Sequence, residues 1–157
     1  MRVSQYMSAP VVTIAPTTDL RQALDVMRAR RIHHLPVREG EKLVGIVAEH
    51  DLLLAAANFG STELPVAEIM RRPVTCIAAD STVQQAARLL VRKRIRSLPV
   101  LDRKKTLVGI ITETDIFKLM AGLRSPARGV KRSAPRRAAK AAAAGARARR
   151  AKGRSRR

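Results

Sequence analysis

The chain writes one phrase twice: residues 43–51 read LVGIVAEHD and residues 107–115 read LVGIITETD. The echo extends upstream at an offset of 63, where Met7-Ser-Ala-Pro-Val answers Met70-Arg-Arg-Pro-Val. Arg31-Ile-His-His-Leu-Pro-Val likewise answers Arg94-Ile-Arg-Ser-Leu-Pro-Val. The offset becomes 64 in the turn before LVGI, where the second copy has one extra residue. Such repetition constrains architecture before any local propensity does, because each copy is one supersecondary unit. Two copies are too few for a solenoid and predict two equivalent halves packed about a pseudo-twofold axis.

Each copy follows the same order. A short extended piece (11–14 or 74–77) precedes a helix whose apolar residues recur at helical spacing: Leu20, Ala23, Leu24, Met27, then Val83, Ala86, Ala87, Leu90. Ser81 followed by Gln84 predicts a capping box opening the second of these helices. Leu-Pro-Val reads as a strand with proline first, where a missing N–H is tolerated. After a polar turn, LVGIV and LVGII are apolar on both faces, which predicts buried strands. A closing helix starts near Asp51 or Asp115 and stops at Gly60 or Gly122, a common terminating residue. The expected fold is therefore mixed α/β (α+β), a tandem β-α-β-β-α unit with repeats at 1–60 and 66–123, a linker at 61–65 and a tail at 124–157.

Only 2% of the residues are aromatic, so the core must be built from aliphatic side chains and methionine. Cys76 is the sole cysteine, which excludes an internal disulfide and a cysteine-cluster metal site. No apolar run reaches membrane-spanning length, and MRVSQYMSAP lacks a signal-peptide core, so a cytoplasmic location is expected, bacterial cytoplasm or nucleoid.

The motif LVGI-x-x-E-x-D has a chemistry of its own. A glycine in a buried strand lets a ligand or another backbone approach closely. Thr112, Thr114 and Asp115 follow at a strand-to-helix junction, where free N–H groups and the helix dipole favour anions. A carboxylate there can accept from two ribose hydroxyls, and threonine hydroxyls can donate to a phosphate. The same residue types are also favoured helix caps, so Asp51 and Asp115 have a purely structural alternative.

The residues Met7 and Met70, Pro10 and Pro73, HHLPV and RSLPV, and above all GIVAEHD and GIITETD resemble the cystathionine-β-synthase-type (CBS) domain pair, or Bateman module. The resemblance covers about residues 3–122. It implies a regulatory module for an adenine-containing ligand such as AMP, ADP or ATP; S-adenosylmethionine and NAD-like ligands also fit the family. By resemblance, the aspartate holds the ribose and the preceding hydroxyl residue approaches the phosphate or ribose. The adenine lies between the early extended segment and the Leu-Pro-Val strand. The expected site is thus Thr75, Cys76, Ile77, Arg96, Pro99, Thr112, Thr114 and Asp115, with a weaker second site at Thr13, His34 and Asp51, where Ala48 lacks a hydroxyl. In the family, basic residues at the positions of Arg96 and of His33 or His34 reach phosphates, with solvated strand ends as the alternative. A metal at His33 and His34 is not expected, because neighbours on a strand point to opposite faces. No nucleophile-and-base spacing occurs, so the body reads as a binding module, not an enzyme, with no required cofactor.

The closing helices carry more apolar residues than one buried stripe needs, which suggests a partner surface or complete burial within the monomer. The resemblance to CBS pairs, which commonly associate through such helices, implies a homodimer. The tail from Arg124 holds 14 of the 32 basic residues and none of the 12 acids, which leaves the body at +6. With no aromatic residue and few large apolar ones, it is expected to be disordered alone. Its composition resembles linker-histone-like bacterial tails, and such density binds DNA, RNA or another polyanion by counterion release. Acidic proteins, anionic lipid or mere solubility are the competing roles. A second overall reading drops the ligand: the CBS pair would be a dimerising scaffold presenting two basic tails, an architectural nucleic-acid-binding protein.

Overall fold

The structure, a computed structural model, describes residues 1–123; the predicted basic tail lies outside them. It begins with an element that the repeat did not announce, a single turn α1 (Val3–Tyr6) that buries Val3 and Tyr6. Asp19 then caps α2 (Leu20–Arg30), its carboxylate accepting from Gln22 N at 2.7 Å. Helix α2 ends at Arg31 in the left-handed region, φ 52°. The antiparallel pair β1 (His34–Glu39) and β2 (Lys42–Ala48) follows, then α3 (Glu49–Phe59), which Gly60 terminates at φ 63°.

The second copy opens with a 3-10 turn at Val66–Glu68 and a two-residue strand β3 (Ile77–Ala78). Helix α4 (Val83–Lys93) ends, like α2, at a left-handed arginine, Arg94. Strands β4 (Ser97–Leu101) and β5 (Leu107–Thr112) pair antiparallel, with β3 parallel to β4. Helix α5 (Glu113–Met120) closes the described chain. The result is a mixed α+β fold of two small sheets and, among the described residues, five α-helices.

Local details differ from the sequence expectation. The capping box of α4 is Thr82 with Gln85, one residue after the expected pair. Proline is the third residue of its strand in both copies. Pro36 O accepts from Ile14 N, so the proline nitrogen faces the side where Ile14 forms only a single bridge. Strands β2 and β5 are not buried on both faces: Leu107, Gly109 and Ile111 are buried and their neighbours only partly so. The closing helices start at Glu49 and Glu113, which places Asp51 and Asp115 in their first turns.

Two aliphatic cores result, and each is closed by a segment of the other copy. Val66 is fully buried with Leu20, Met27, Leu35 and Leu52 of the first copy, and its N–H donates to Thr18 O at 2.7 Å. Reciprocally, Val3 and Tyr6 join Val83, Leu98 and Ile111 of the second copy, with Val3 N donating to Ser81 O at 2.8 Å. The segments carrying the repeated methionines then cross. Arg71 exchanges both backbone hydrogen bonds with Ile46, and Ser8 does so with Ile110. These crossings account for the repeated glycine. A Cβ on Gly45 would lie 2.7 Å from Met70 Cγ, and one on Gly109 would lie 2.9 Å from Met7 Cγ and 3.1 Å from Ser8 O. What approaches each glycine is therefore the methionine of the other copy. The paired crossings are those a pseudo-twofold arrangement requires.

Candidate functional site

Because the segments cross, the start of α3 in the first copy meets the start of β4 in the second. A cavity of about 540 Å³ opens there. Ile46, Ala48, Glu49 and Asp51 of the first copy line it together with Val74, Thr75 and Pro99 of the second, and Arg71, Arg94 and Arg96 supply its cationic lining. His33, His34 and His50 complete the polar lining.

Local folding explains each position. Arg94 is the left-handed cap of α4, so the chain turns sharply there and delivers Arg96 and Ser97 to the start of β4. Asp51 lies in the first turn of α3, whose N-cap, Ala48, offers no side-chain hydrogen bond. Its carboxylate is instead gripped at both oxygens by Arg71, with Nε to Oδ2 and Nη2 to Oδ1 both at 2.9 Å. That hydrogen bond, then the charge of Asp51, raises the Arg71 pKa above its ordinary value. His33 Nδ1 meets Glu49 Oε2 at 2.5 Å, and Arg96 Nε lies 3.6 Å from Glu113 Oε1. These two pairs occupy equivalent places in the two copies. Burial, followed by the charge of His33, lowers the pKa of His34, which therefore favours its neutral form.

Of the expected site residues, Thr75, Arg96, Pro99, His34 and Asp51 come together on this cavity. The grouping crosses copies: Thr75 and Pro99 face Asp51, not Asp115, with which the sequence had grouped them. Thr112 and Asp115 form a capping box on α5 instead. Asp115 Oδ2 accepts from Thr112 N and Thr112 Oγ1, both at 2.9 Å, and Asp115 N donates to Thr112 Oγ1 at 3.2 Å. Thr114 is exposed and Thr13 half-buried, and neither lines the cavity. Ile77 is buried in the second core. Cys76 is also outside the lining; its thiol donates to Val74 O at 3.6 Å, and burial pushes its pKa up. Sequence reasoning did not select Arg71, Arg94 or Glu49. The available signal for Arg71 was its departure from Ser8, the residue at its position in the first copy.

The arrangement sets hydrogen-bond acceptors, apolar walls and guanidinium donors around one space. An ionised carboxylate has about four lone-pair sites, so Asp51 keeps acceptor capacity beside Arg71. The apolar lining suits a planar base, and three arginines suit an anion. A group of three or more potential metal ligands does not occur among the described residues.

The CBS domain family model matches residues 3–58 and 66–122. The chain belongs to the CBS domain family. A CBS domain-containing protein of Dictyostelium discoideum is 34% identical over 139 residues, covering 79% of this chain and 94% of that one. Against five other curated relatives, the match spans only 37%, 24%, 21%, 43% and 21% of their lengths. Among solved structures, the CBS domain pair of protein MJ0100, in complex with 5′-methylthioadenosine and S-adenosyl-L-methionine, superposes with a TM-score of 0.73 at 30% identity. It covers 79% of this chain and 98% of that one. The protein CBSX2 in complex with AMP gives 0.66 at 25% identity, covering 78% and 97%. No helix among the described residues is long and apolar enough to cross a membrane.

Proposed function

We propose that this CBS pair is a regulatory binding module that senses an adenine nucleotide, AMP, ADP or ATP, at the Asp51 cavity, and is not a catalyst. The observation that carries the reading is the single space joining Asp51 of the first copy to Thr75, Arg96 and Pro99 of the second. Asp51 accepts from the ribose hydroxyls, Val74 and Pro99 flank the base, and Arg94 and Arg96 take the phosphates. The adenosine-type ligands in the two similar structures support the ligand class. The Asp115 position becomes the second candidate, because the carboxylate already serves the capping box with Thr112. Since the cavity draws its walls from both copies, a ligand that prefers one relative arrangement of them shifts the population toward it.

The test is calorimetric titration of the full chain with AMP, ATP and S-adenosylmethionine, repeated on Asp51→Ala and Asp115→Ala. Asp51→Ala is expected to weaken nucleotide binding by about tenfold or more, the scale of a charge-assisted hydrogen bond, while Asp115→Ala leaves it. The opposite ranking would move the site to the second phrase, and absence of binding to every ligand would end the sensor reading.

The scaffold reading is favoured by a separate observation. Leu53 and Leu54 on α3 and Phe117 and Met120 on α5 remain exposed, an apolar surface suited to a homodimer of CBS pairs. Sedimentation of Phe117→Asp against the unsubstituted chain tests the dimer. Nucleic-acid binding by residues 124–157 is tested by deleting them, which should abolish both the affinity for DNA or RNA and its salt dependence.

A further inference from the structure

We propose that Arg71 is the specificity-determining gate of the Asp51 cavity, holding the carboxylate against ligands that lack a phosphate and yielding it to ligands that carry one. The inference rests on the reading of this cavity as an adenine-nucleotide site and adds the chemical class the site selects.

Three features carry it. First, the guanidinium grips both carboxylate oxygens at 2.9 Å, the forked geometry in which arginine binds carboxylate and phosphate alike. A ribose diol approaching Asp51 brings neutral hydroxyls to the lone pairs that remain, on a carboxylate whose charge is already neutralised by the guanidinium, so it binds there more weakly than to a released carboxylate. A phosphate instead offers the guanidinium a second anion, and the carboxylate is then released to the diol. Second, the pair is exchangeable: the Arg71 side chain is 66% exposed, against 20% for Asp51. With most of its side chain in solvent, the guanidinium has water on its open face and can turn toward a second anion when one is offered. Its backbone cannot drift, because Arg71 N donates to Ile46 O at 2.9 Å and Ile46 N donates to Arg71 O at 3.2 Å. The side chain therefore pivots from a fixed point on the cavity wall. Third, Arg94 and Arg96 line the same space, so a phosphate meets three guanidinium-bearing side chains there. A neutral thioether offers Arg71 no rival anion, and a sulfonium meets the same charges with the wrong sign. The α-carboxylate of S-adenosylmethionine carries one negative charge against about 1.5 to 2 on a phosphate monoester, so it is the weaker rival for the guanidinium.

The device belongs to one cavity. Ser8 stands where Arg71 stands in the other copy, and a hydroxyl is too short and uncharged to grip a carboxylate in a fork. The repeat thus differs in a residue that decides chemistry, not merely packing.

The experiment titrates the full chain with AMP, adenosine and S-adenosylmethionine, using the unsubstituted protein, Arg71→Ala, Arg71→Lys and Asp51→Ala. Asp51→Ala subtracts any nucleotide held by the basic tail, and thermal unfolding checks that each variant is folded. The unsubstituted chain should prefer AMP to adenosine, and Arg71→Ala should reduce that preference about tenfold or more, tightening adenosine while weakening AMP. Arg71→Lys keeps the charge without the fork and should retain only part of the preference. If Asp51-dependent binding is present but the AMP-to-adenosine ratio survives Arg71→Ala, the gate is wrong and the nucleotide site stands. If no ligand binds the unsubstituted chain in an Asp51-dependent way, the reading of this cavity as the nucleotide site fails and takes the gate with it.

Discussion

Gly45→Ala is the substitution that most directly tests how the two copies are locked together. The backbone there is ordinary extended strand, so alanine meets no conformational penalty. In an open site it would stabilise the protein by about 0.4–1 kcal/mol through the unfolded chain. The site is not open. A Cβ would lie 2.7 Å from Met70 Cγ and 3.0 Å from Met70 Cβ, and the latter atom is held by a segment hydrogen-bonded across to Ile46. Relief requires backbone movement or an off-rotamer methionine, which costs about 1–3 kcal/mol. The clash outweighs the entropy gain, and Gly45→Ala is expected to be net destabilising. Truncating the partner reverses the sign: on a Met70→Ala background, which removes Sδ and Cγ, the same glycine substitution should be near neutral or mildly stabilising. Urea or thermal unfolding of the four proteins gives the coupling directly, and a value of about 1–2 kcal/mol is expected for residues in contact. Additivity within about 0.3 kcal/mol would refute the claim that the glycine exists to admit Met70.

Three further outcomes follow from particular contacts. His34 has a folded pKa below its ordinary 6.5, through burial first and His33 second, so the unfolded chain takes the proton more readily. Stability from this residue is complete above the unfolded value and is lost as pH falls through it toward the folded value. Melting temperatures from about pH 7.5 to about pH 5.5 should therefore fall less in His34→Gln than in the unsubstituted chain, and identical slopes would remove His34 from the account. Thr112→Ala removes the N-cap of α5 and its bonds to Asp115, and should cost about 0.5–2 kcal/mol in chemical denaturation, with Thr112→Ser restoring most of it. Val66→Ala truncates a fully buried side chain that the second copy contributes to the first core, and should cost about 1–3 kcal/mol. A loss within experimental error would show that the 64–70 segment does not complete that core.

The doubled phrase, the helix and strand order and the end of α3 at Gly60 were legible because each depends on residues close together in the chain. Periodicity at Leu20, Ala23 and Met27 reports a helix face, and a glycine after the last periodic residue reports a helix stop, wherever the segment packs; α2 and α4, which stop at left-handed arginines, carry no such signal. The candidate residues Thr75, Arg96, Pro99, His34 and Asp51 follow from the family resemblance, whose short motifs are local. Their grouping was not legible. An offset of 63 relates the copies but is silent on which copy's strand meets which copy's helix, and the sequence reading paired Thr75 and Pro99 with Asp115. Packing decided otherwise, because each core is completed by the other copy's leading segment and the cavity must therefore draw on both. The two aspartates show the same division. Thr112 beside Asp115 closes a capping box three residues apart, a local event whose outcome, a cap instead of a free carboxylate, depended on the helix start. Ala48 leaves Asp51 without that partner, and only the tertiary crossing brings Arg71, twenty residues away, onto its carboxylate. The sequence by itself determined the two units and the order of elements within each. The three-dimensional exchange between units decided which candidate residues line one cavity, because contacts between distant segments follow from burial of the cores and not from spacing along the chain.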